Sequence, residues 1–416
     1  MKHIYTKFES GNMRIVKTFL LLLFIGSTAL AQQRMSSTEL SYLYDEGHDF
    51  IVRYRVASQE QDYKVYLNFM LNDGNSRISD YSFSYDLRDS YITEKSVSSG
   101  TPIDSTHVID IGFREFTYLT AFEVEENQNL MVIDIYNIVK DEHYYLDIPL
   151  VRNAEKPSSF LVFEAEKDIP YFPKYLNRNY PIRLKNVFGD SLRYDISGIK
   201  NNKKVALPPF EEGPSEVPTE IPLDTLYGTN ENEVFEFYNA GFYTIRTAQS
   251  STDQLKLLVA DEYYPYFGEY PDLVQPLIFI STNSEYNQMR EAEDSRAAFE
   301  EYVNNTISSN RRIARDFIKY YYRRIRKSAR LFTENKAGWK TDRGMVYQIY
   351  GDPTQVFRNE KTELWVYPSA IGGRTRFIFD IVQEEGVTKY KLIRGKRYRE
   401  EWMQAVTQWR AGRIIE

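Results

Sequence analysis

Between residues 50 and 150 the chain consists largely of short runs in which apolar and polar side chains alternate, at 50–56, 64–71, 81–85, 130–136 and 144–150. A period of two sends successive side chains to opposite faces of a strand, and several such runs at short spacing predict a β-sandwich. The aromatic content points the same way: 34 Tyr and 25 Phe suit pleated, half-buried surfaces better than helices. Asn72-Asp73-Gly74-Asn75 separates two of the runs and reads as a hairpin turn.

A second β unit follows, with strand-like runs at 160–163, 182–187, 234–238, 242–246 and 255–259. Residues 207–218, rich in Pro and Glu, interrupt it and read as a surface loop, because proline cannot donate to a ladder. After Pro276 the period changes. Residues 285–302 predict one helix and 310–332 a second, with Ile313, Phe317, Tyr321, Ile325, Ala329 and Phe332 recurring every three or four positions. Beyond Gly338, runs at 345–350, 363–367, 376–382 and 389–393 predict a small antiparallel meander, and 400–409 a closing helix. The expected architecture is multidomain and β-rich. It has a β-sandwich-like domain at 36–155, a second at 156–265, and at 275–416 an α+β module of helices followed by a small antiparallel sheet. A length of 416 residues agrees, since single cores stop growing at roughly 250 to 300.

Arg14 and Lys17 precede the apolar run 19–25, and Ala29-Leu30-Ala31 follows, so residues 1–31 read as a signal peptide cleaved after Ala31, with Met1 or Met13 as its start. The apolar run is far shorter than the roughly 20 residues of a membrane span. The chain contains no cysteine, which removes an acyl anchor, disulfides, thiol catalysis and thiolate metal sites. The expected address is exported, in the periplasm or associated with an outer membrane. Removing Lys2, Lys7, Arg14 and Lys17 together with Glu9 leaves 48 basic and 58 acidic residues, a net −10 that argues against nucleic acid as a partner.

The helix predicted at 310–332 breaks this acidic trend, carrying nine Arg and Lys against Asp316 alone. Arg311, Arg315, Lys319, Arg323 and Lys327 are its candidate partner-binding residues, suited to lipid head groups, a polyanionic glycan or an acidic protein patch. The same pattern equally describes a solvated face, or one docked on the acidic β domains.

The stretch Gly338-Trp339-Lys340-Thr341-Asp342, with Gly351-Asp352-Pro353 and Glu363-Leu364-Trp365-Val366-Tyr367 after it, resembles the signature of the GWxTD-domain family of exported bacterial proteins, found chiefly in Bacteroidota. The resemblance covers residues 285–395 and departs from the family at 299–304, where a tryptophan and an Arg-Asp pair are replaced by Phe299 to Asn304. It implies an envelope location, and the family has no established reaction from which a catalytic role would carry over. The residues themselves predict a folding device. Gly338 turns the chain, Trp339 fills the gap between helix and sheet, Thr341 or Asp342 bonds nearby backbone, and Gly351 and Pro353 close the segment.

The alternative is a hydrolytic or metal site formed by Asp342, Arg343, Asp352, Glu363 and Asp380. Against it, the histidines His3, His48, His107 and His143 are dispersed, and no zinc spacing, Gly-x-Ser-x-Gly elbow, phosphate loop or dinucleotide fingerprint occurs. No cofactor and no metal is expected. The sequence thus predicts a non-enzymatic structural or interaction protein of the envelope, an accessory subunit of an assembly, secretion or transport complex with protein partners. The alternative is a hydrolase or glycan-binding enzyme acting on polysaccharide through the C-terminal carboxylates.

Overall fold

The computed structural model describes residues 34–413 except 95–99, 152–154, 190, 202, 214–219, 224–226, 370–371 and 385. Residues 1–31, expected to be a signal peptide, lie with the expected cleavage point outside the described residues, as does part of the proline-rich stretch. Among the described residues the first unit has eight strands: β1 (Phe50–Gln59), β2 (Asp62–Leu71), β3 (Tyr81–Arg88), β4 (Thr101–Ile103), β5 (Val108–Ile111), β6 (Glu115–Glu123), β7 (Leu130–Asn137) and β8 (Glu142–Pro149). They form two antiparallel four-stranded sheets, ordered β1-β2-β6-β5 and β4-β3-β7-β8. Alternation sends Leu67, Phe69, Phe83, Ile133, Ile135 and Leu146 between the sheets, where they are buried. Each such side chain contributes about 1.5–3 kcal/mol of burial.

The hairpin expected at Asn72-Asp73-Gly74-Asn75 is not one. β2 pairs with β1 and β6, and β3 with β4 and β7, so this segment crosses from one sheet to the other. Its turn residues serve a polar knot instead: Asp73 accepts from the Asn75 N–H at 3.2 Å and from the Ser76 hydroxyl at 3.0 Å.

The second unit comprises β9 (Phe160–Glu164), β10 (Tyr175–Asn177), β11 (Ile182–Asn186), β12 (Arg193–Ile199), β13 (Tyr227–Asn230), β14 (Val234–Phe235), β15 (Gly241–Thr247) and β16 (Ser250–Ala260). A five-stranded sheet, β10-β16-β15-β12-β13, faces a three-stranded one, β14-β11-β9, over a core containing Phe160, Tyr194, Ile245 and Val259. Leu161 and Phe163 turn outward onto Ala57 and Tyr66 of the first unit. Arg55 fixes this seam by donating to the carbonyls of Tyr171, Phe172 and Pro173 at 3.1, 2.7 and 2.7 Å.

The C-terminal module holds helices α1 (Tyr270–Val274), α2 (Asn283–Glu291), α3 (Ser295–Tyr302), α4 (Arg311–Phe332), α5 (Asp342–Tyr350) and α6 (Arg399–Arg410), with the antiparallel meander β17 (Gln355–Arg358), β18 (Thr362–Pro368), β19 (Arg374–Glu384) and β20 (Val387–Leu392). The helix expected at 285–302 is two, because Asp294 starts a new one by capping the Ala297 N–H. The strand expected at 345–350 is helix α5. Residues Arg343 to Ile349 are buried on every side, so the run shows no period, and period alone cannot separate a buried helix from a buried strand. The terminal signals decide it: Thr341 is the N-cap, and Gly351 ends the helix at φ +83°.

The cores do not follow chain order. One continuous buried cluster joins Phe50 and Ile148 of the first sandwich to Trp365 and Trp409 of the C-terminal module, whereas the second unit keeps most of its core to itself.

Candidate functional site

Gly338 opens a single 3-10 turn, Gly338–Lys340, pressed against α4. A Cβ there would lie 2.2 Å from the Ser328 carbonyl oxygen and 2.8 Å from that of Ala329, so no other residue fits. The Gly338 N–H donates to the Tyr264 hydroxyl at 3.2 Å and to Thr333 Oγ1 at 3.1 Å. Trp339 is buried, and its carbonyl accepts from Gln348 Nε2 at 2.7 Å. Thr341 Oγ1 accepts from the Gly344 N–H at 3.0 Å and donates to the Gly338 carbonyl at 2.7 Å. Gly344 in turn lies against the Gly338 carbonyl, where a Cβ would come within 1.9 Å. Asp342 reaches across to β20 and its end, accepting from the Leu392 N–H at 2.7 Å and from Arg394 at 2.6 and 3.0 Å. At the far end of α5, the Gly351 carbonyl accepts from the Tyr367 hydroxyl at 2.9 Å, and the buried Pro353 leads into β17. The motif is thus a clasp between α4, α5 and β20.

Below the clasp lies a buried charged network. Arg343 stacks over Tyr390, 3.3 Å from the ring centroid, and pairs with Glu363 at 3.4 Å and Glu334 at 3.7 Å. Arg358 donates to Glu363 at 2.6 Å, to Asp147 of β8 at 2.6 Å and to the Tyr44 hydroxyl at 2.7 Å. Trp365 Nε1 donates to Glu363 at 2.8 Å, and the Tyr91 hydroxyl to Asp147 at 2.7 Å. Burial pushes the Glu363 carboxyl up, but the Arg358 and Arg343 guanidiniums outweigh it and hold it at about 2. Three carboxylates here face two guanidiniums. The surplus falls on Glu334, which burial pushes up to about 7 although Arg343 and Lys336 pull the other way.

The carboxylates of the hydrolytic alternative are committed to different cations: Glu363 to Arg343 and Arg358, Asp342 to Arg394, and Asp352 to Lys327 at 3.4 Å with a further bond from the Tyr347 hydroxyl. Asp380 is exposed on β19. A cleft of ≈ 300 Å³ opens at the seam between Tyr91, Leu130 and Pro149 on one side and Ile381, Gln383 and Glu360 on the other. Glu360 is already used there, accepting from the Tyr91 N–H at 2.7 Å.

Helix α4 divides the five candidate cations. Its apolar stripe, Phe317, Tyr321, Ile325 and Phe332, is buried. In the C-terminal half the cations turn inward: Arg324 donates to the Ile349 carbonyl at 2.9 Å, Lys327 pairs with Asp352, and Arg330 pairs with Glu46 of the first unit at 2.5 Å. In the N-terminal half Arg311, Arg315, Lys319 and Arg323 are exposed, so the structure gathers four of the five and sets Lys327 apart. Sequence reading missed Tyr44, Asp147, Tyr264, Glu334, Gly344 and Arg358. Gly344, two residues beyond the motif, is the one whose spacing was a usable signal.

Substituting Gly344→Ala is expected to lower stability by about 1–3 kcal/mol through overpacking against the Gly338 carbonyl, read by urea denaturation. The same assay should show about 3–5 kcal/mol lost in Arg358→Ala, which leaves Asp147 and Glu363 buried without their guanidinium. Glu334 gives a pH signature. Its folded value lies above the ordinary 4.5, so its contribution is fully present below pH 4.5 and is lost as pH rises through about 7. Glu334→Gln, already neutral, is expected to gain about 3 kcal/mol on the parent between pH 4 and pH 8. A difference that stays flat over that range would show that folding leaves the Glu334 carboxyl at its ordinary value.

Residues 241–411 match the family model of the GWxTD domain. The match extends the resemblance at both ends, taking in β15, β16 and α6; the segment after β16 supplies Tyr264, whose hydroxyl accepts from the first residue of the motif. No curated protein matches the chain. The chain carries a GWxTD domain at residues 241–411, preceded by a β-sandwich that shares its core.

Proposed function

We propose that the chain is an exported, non-enzymatic interaction protein of the cell envelope, an accessory subunit of an assembly, secretion or transport complex, and that it meets its protein partner with one end of the first sandwich. The observation that carries this is a set of exposed apolar side chains at or beside the β5–β6 and β7–β8 turns, both at that end. Phe113 is 94% exposed, Val139 75%, Ile111 70% and Ile138 51%. Large apolar side chains exposed at one end of a domain are a feature of interaction surfaces, because their solvation is unfavourable until a partner covers them.

The loops that carry these side chains are held firmly. Arg114, next to Phe113, donates to the carbonyls of Leu71, Gly74 and Ser76 at 3.2, 3.3 and 3.3 Å. The Ile138 N–H donates to the Asp80 carbonyl at 2.8 Å, and Lys140 pairs with Asp49. A preorganised tip loses little conformational entropy on binding. The GWxTD domain supports the same reading, since its motif residues are used in holding α4, α5 and β20 together. Among the described residues no helix is long and apolar enough to cross a membrane, which fits a protein that joins the envelope through partners.

The test is affinity capture of the tagged protein from its native envelope in gentle detergent, with mass spectrometry of what accompanies it. Phe113→Asp combined with Val139→Asp is expected to abolish stoichiometric partners while shifting stability by no more than about 0.5 kcal/mol, both side chains being solvated. Recovery of the same partners with the double variant would refute the tip as the contact. A parent protein that is captured alone, and that cleaves envelope glycans, would favour the enzymatic alternative.

A further inference from the structure

We infer that the outward face of the N-terminal half of α4 is a docking surface for an anionic lipid leaflet, recognising the phosphate charge of the head groups. It belongs to the same envelope setting as the reading above but uses a different surface, so the two fail separately.

Three observations converge on this face. Arg311, Arg315, Lys319 and Arg323 follow one another at intervals of four, which places them along one side of the helix, and all four are exposed. Among the described residues Asp316 is the carboxylate within ion-pair reach of this half, 3.9 Å from Arg312 and 4.0 Å from Arg315. The remaining charge is therefore presented to solvent by a chain whose overall balance is −7. Fold stability does not account for it either. Arg311 and Arg312 occupy the first turn, where the helix macrodipole disfavours cations. This contrasts with Arg324, Lys327 and Arg330 of the same helix, each of which has an internal partner.

The apolar and aromatic groups beside the cations select a bilayer over a purely polar polyanion. Ile318 is exposed at one edge of this face and Ile313, close to Gly412, at the other. Tyr320 lies under both Lys319 and Arg323, at 5.4 and 4.8 Å from its ring centroid. Farther along the helix, towards its C-terminal end, Arg326 lies over the exposed Tyr266 ring at 5.6 Å, and Tyr263 is exposed on the same loop. Cations on long stems, isoleucines and tyrosines with a wet hydroxyl are the side chains that settle at the boundary between head groups and acyl chains. The buried apolar stripe keeps α4 attached to its own domain, so the contact is peripheral and driven by charge.

The experiment is co-sedimentation of the purified protein with vesicles of phosphatidylcholine alone and of phosphatidylcholine mixed equally with phosphatidylglycerol. Binding is expected only to the mixed vesicles, weakening as salt is raised. Arg311→Glu/Arg315→Glu/Lys319→Glu/Arg323→Glu is expected to reduce the partition coefficient roughly 100-fold or more. The companion Arg311→Lys/Arg315→Lys/Arg323→Lys is expected to keep it, because a leaflet reads charge and not the guanidinium fork. Equal binding to both vesicle types, or binding that survives the reversal, would overturn the inference. If neither vesicle binds while an acidic protein from the envelope capture is lost on reversal, the face serves a protein and the lipid assignment is wrong, with the tip contact untouched.

Discussion

The buried contact between Arg358, Glu363 and Asp147 is the constraint on which the rest of the structure depends. Arg358 and Glu363 lie on neighbouring strands of the C-terminal meander, and Asp147 belongs to the first sandwich. Removing charges from water costs several kcal/mol per ion, repaid only when geometry and extra hydrogen bonds are good. Here Tyr44, Tyr91 and Trp365 supply those bonds, so the network is satisfied only when both modules are seated. An apolar seam would tolerate sliding. A seam of directional bonds between fixed partners admits one register, and it sets how α4, α5 and the meander sit relative to the first sandwich.

The motif and the network form one assembly. Asp342 and Arg343 are consecutive at the start of α5, yet the first reaches β20 while the second turns down into the network. Thr341 fixes the helix start that aims both of them, and Gly338 and Gly344 let two backbones approach closely enough for it to do so. The short spacing between Gly338 and Gly344 reflects the few ångströms over which these contacts must be made.

Much of this was legible in the sequence because it is local. Alternation revealed the strands of the first two units, and steps of three and four revealed α4 together with its basic face. Thr341 and Gly351 both carry turn chemistry, but the apolar run 345–350 between them has no period that would mark them as the two caps of one helix. Asn72-Asp73-Gly74-Asn75 has hairpin chemistry, but pairing partners are chosen by burial elsewhere, and the two flanking strands joined different sheets. Tyr44, Asp147 and Arg358 are separated by hundreds of positions and look individually like ordinary strand or loop residues, so nothing in their spacing announces the network. The division of α4 into an inward and an outward cationic half is equally non-local: it is set by Glu46, Asp352 and the Ile349 carbonyl, which arrive from other elements.

The continuous core of the first and last modules has a consequence for how the chain reaches this state. Tyr44 and Glu363 are 319 positions apart, and Asp147 and Arg358 are 211 apart. A polypeptide emerging from its N-terminus holds the strands of the first sandwich long before its covering face exists, and Asp147 must wait in water for its guanidinium. The second unit, with its own core, can close within that interval, and through Arg55 and the Phe163 seam it ties itself to the first. Closing a long loop grows costlier only with the logarithm of its length, and a folded insert shortens the effective span further. The middle unit therefore acts as a spacer that brings the C-terminal clasp back to the first sandwich, whose core it completes.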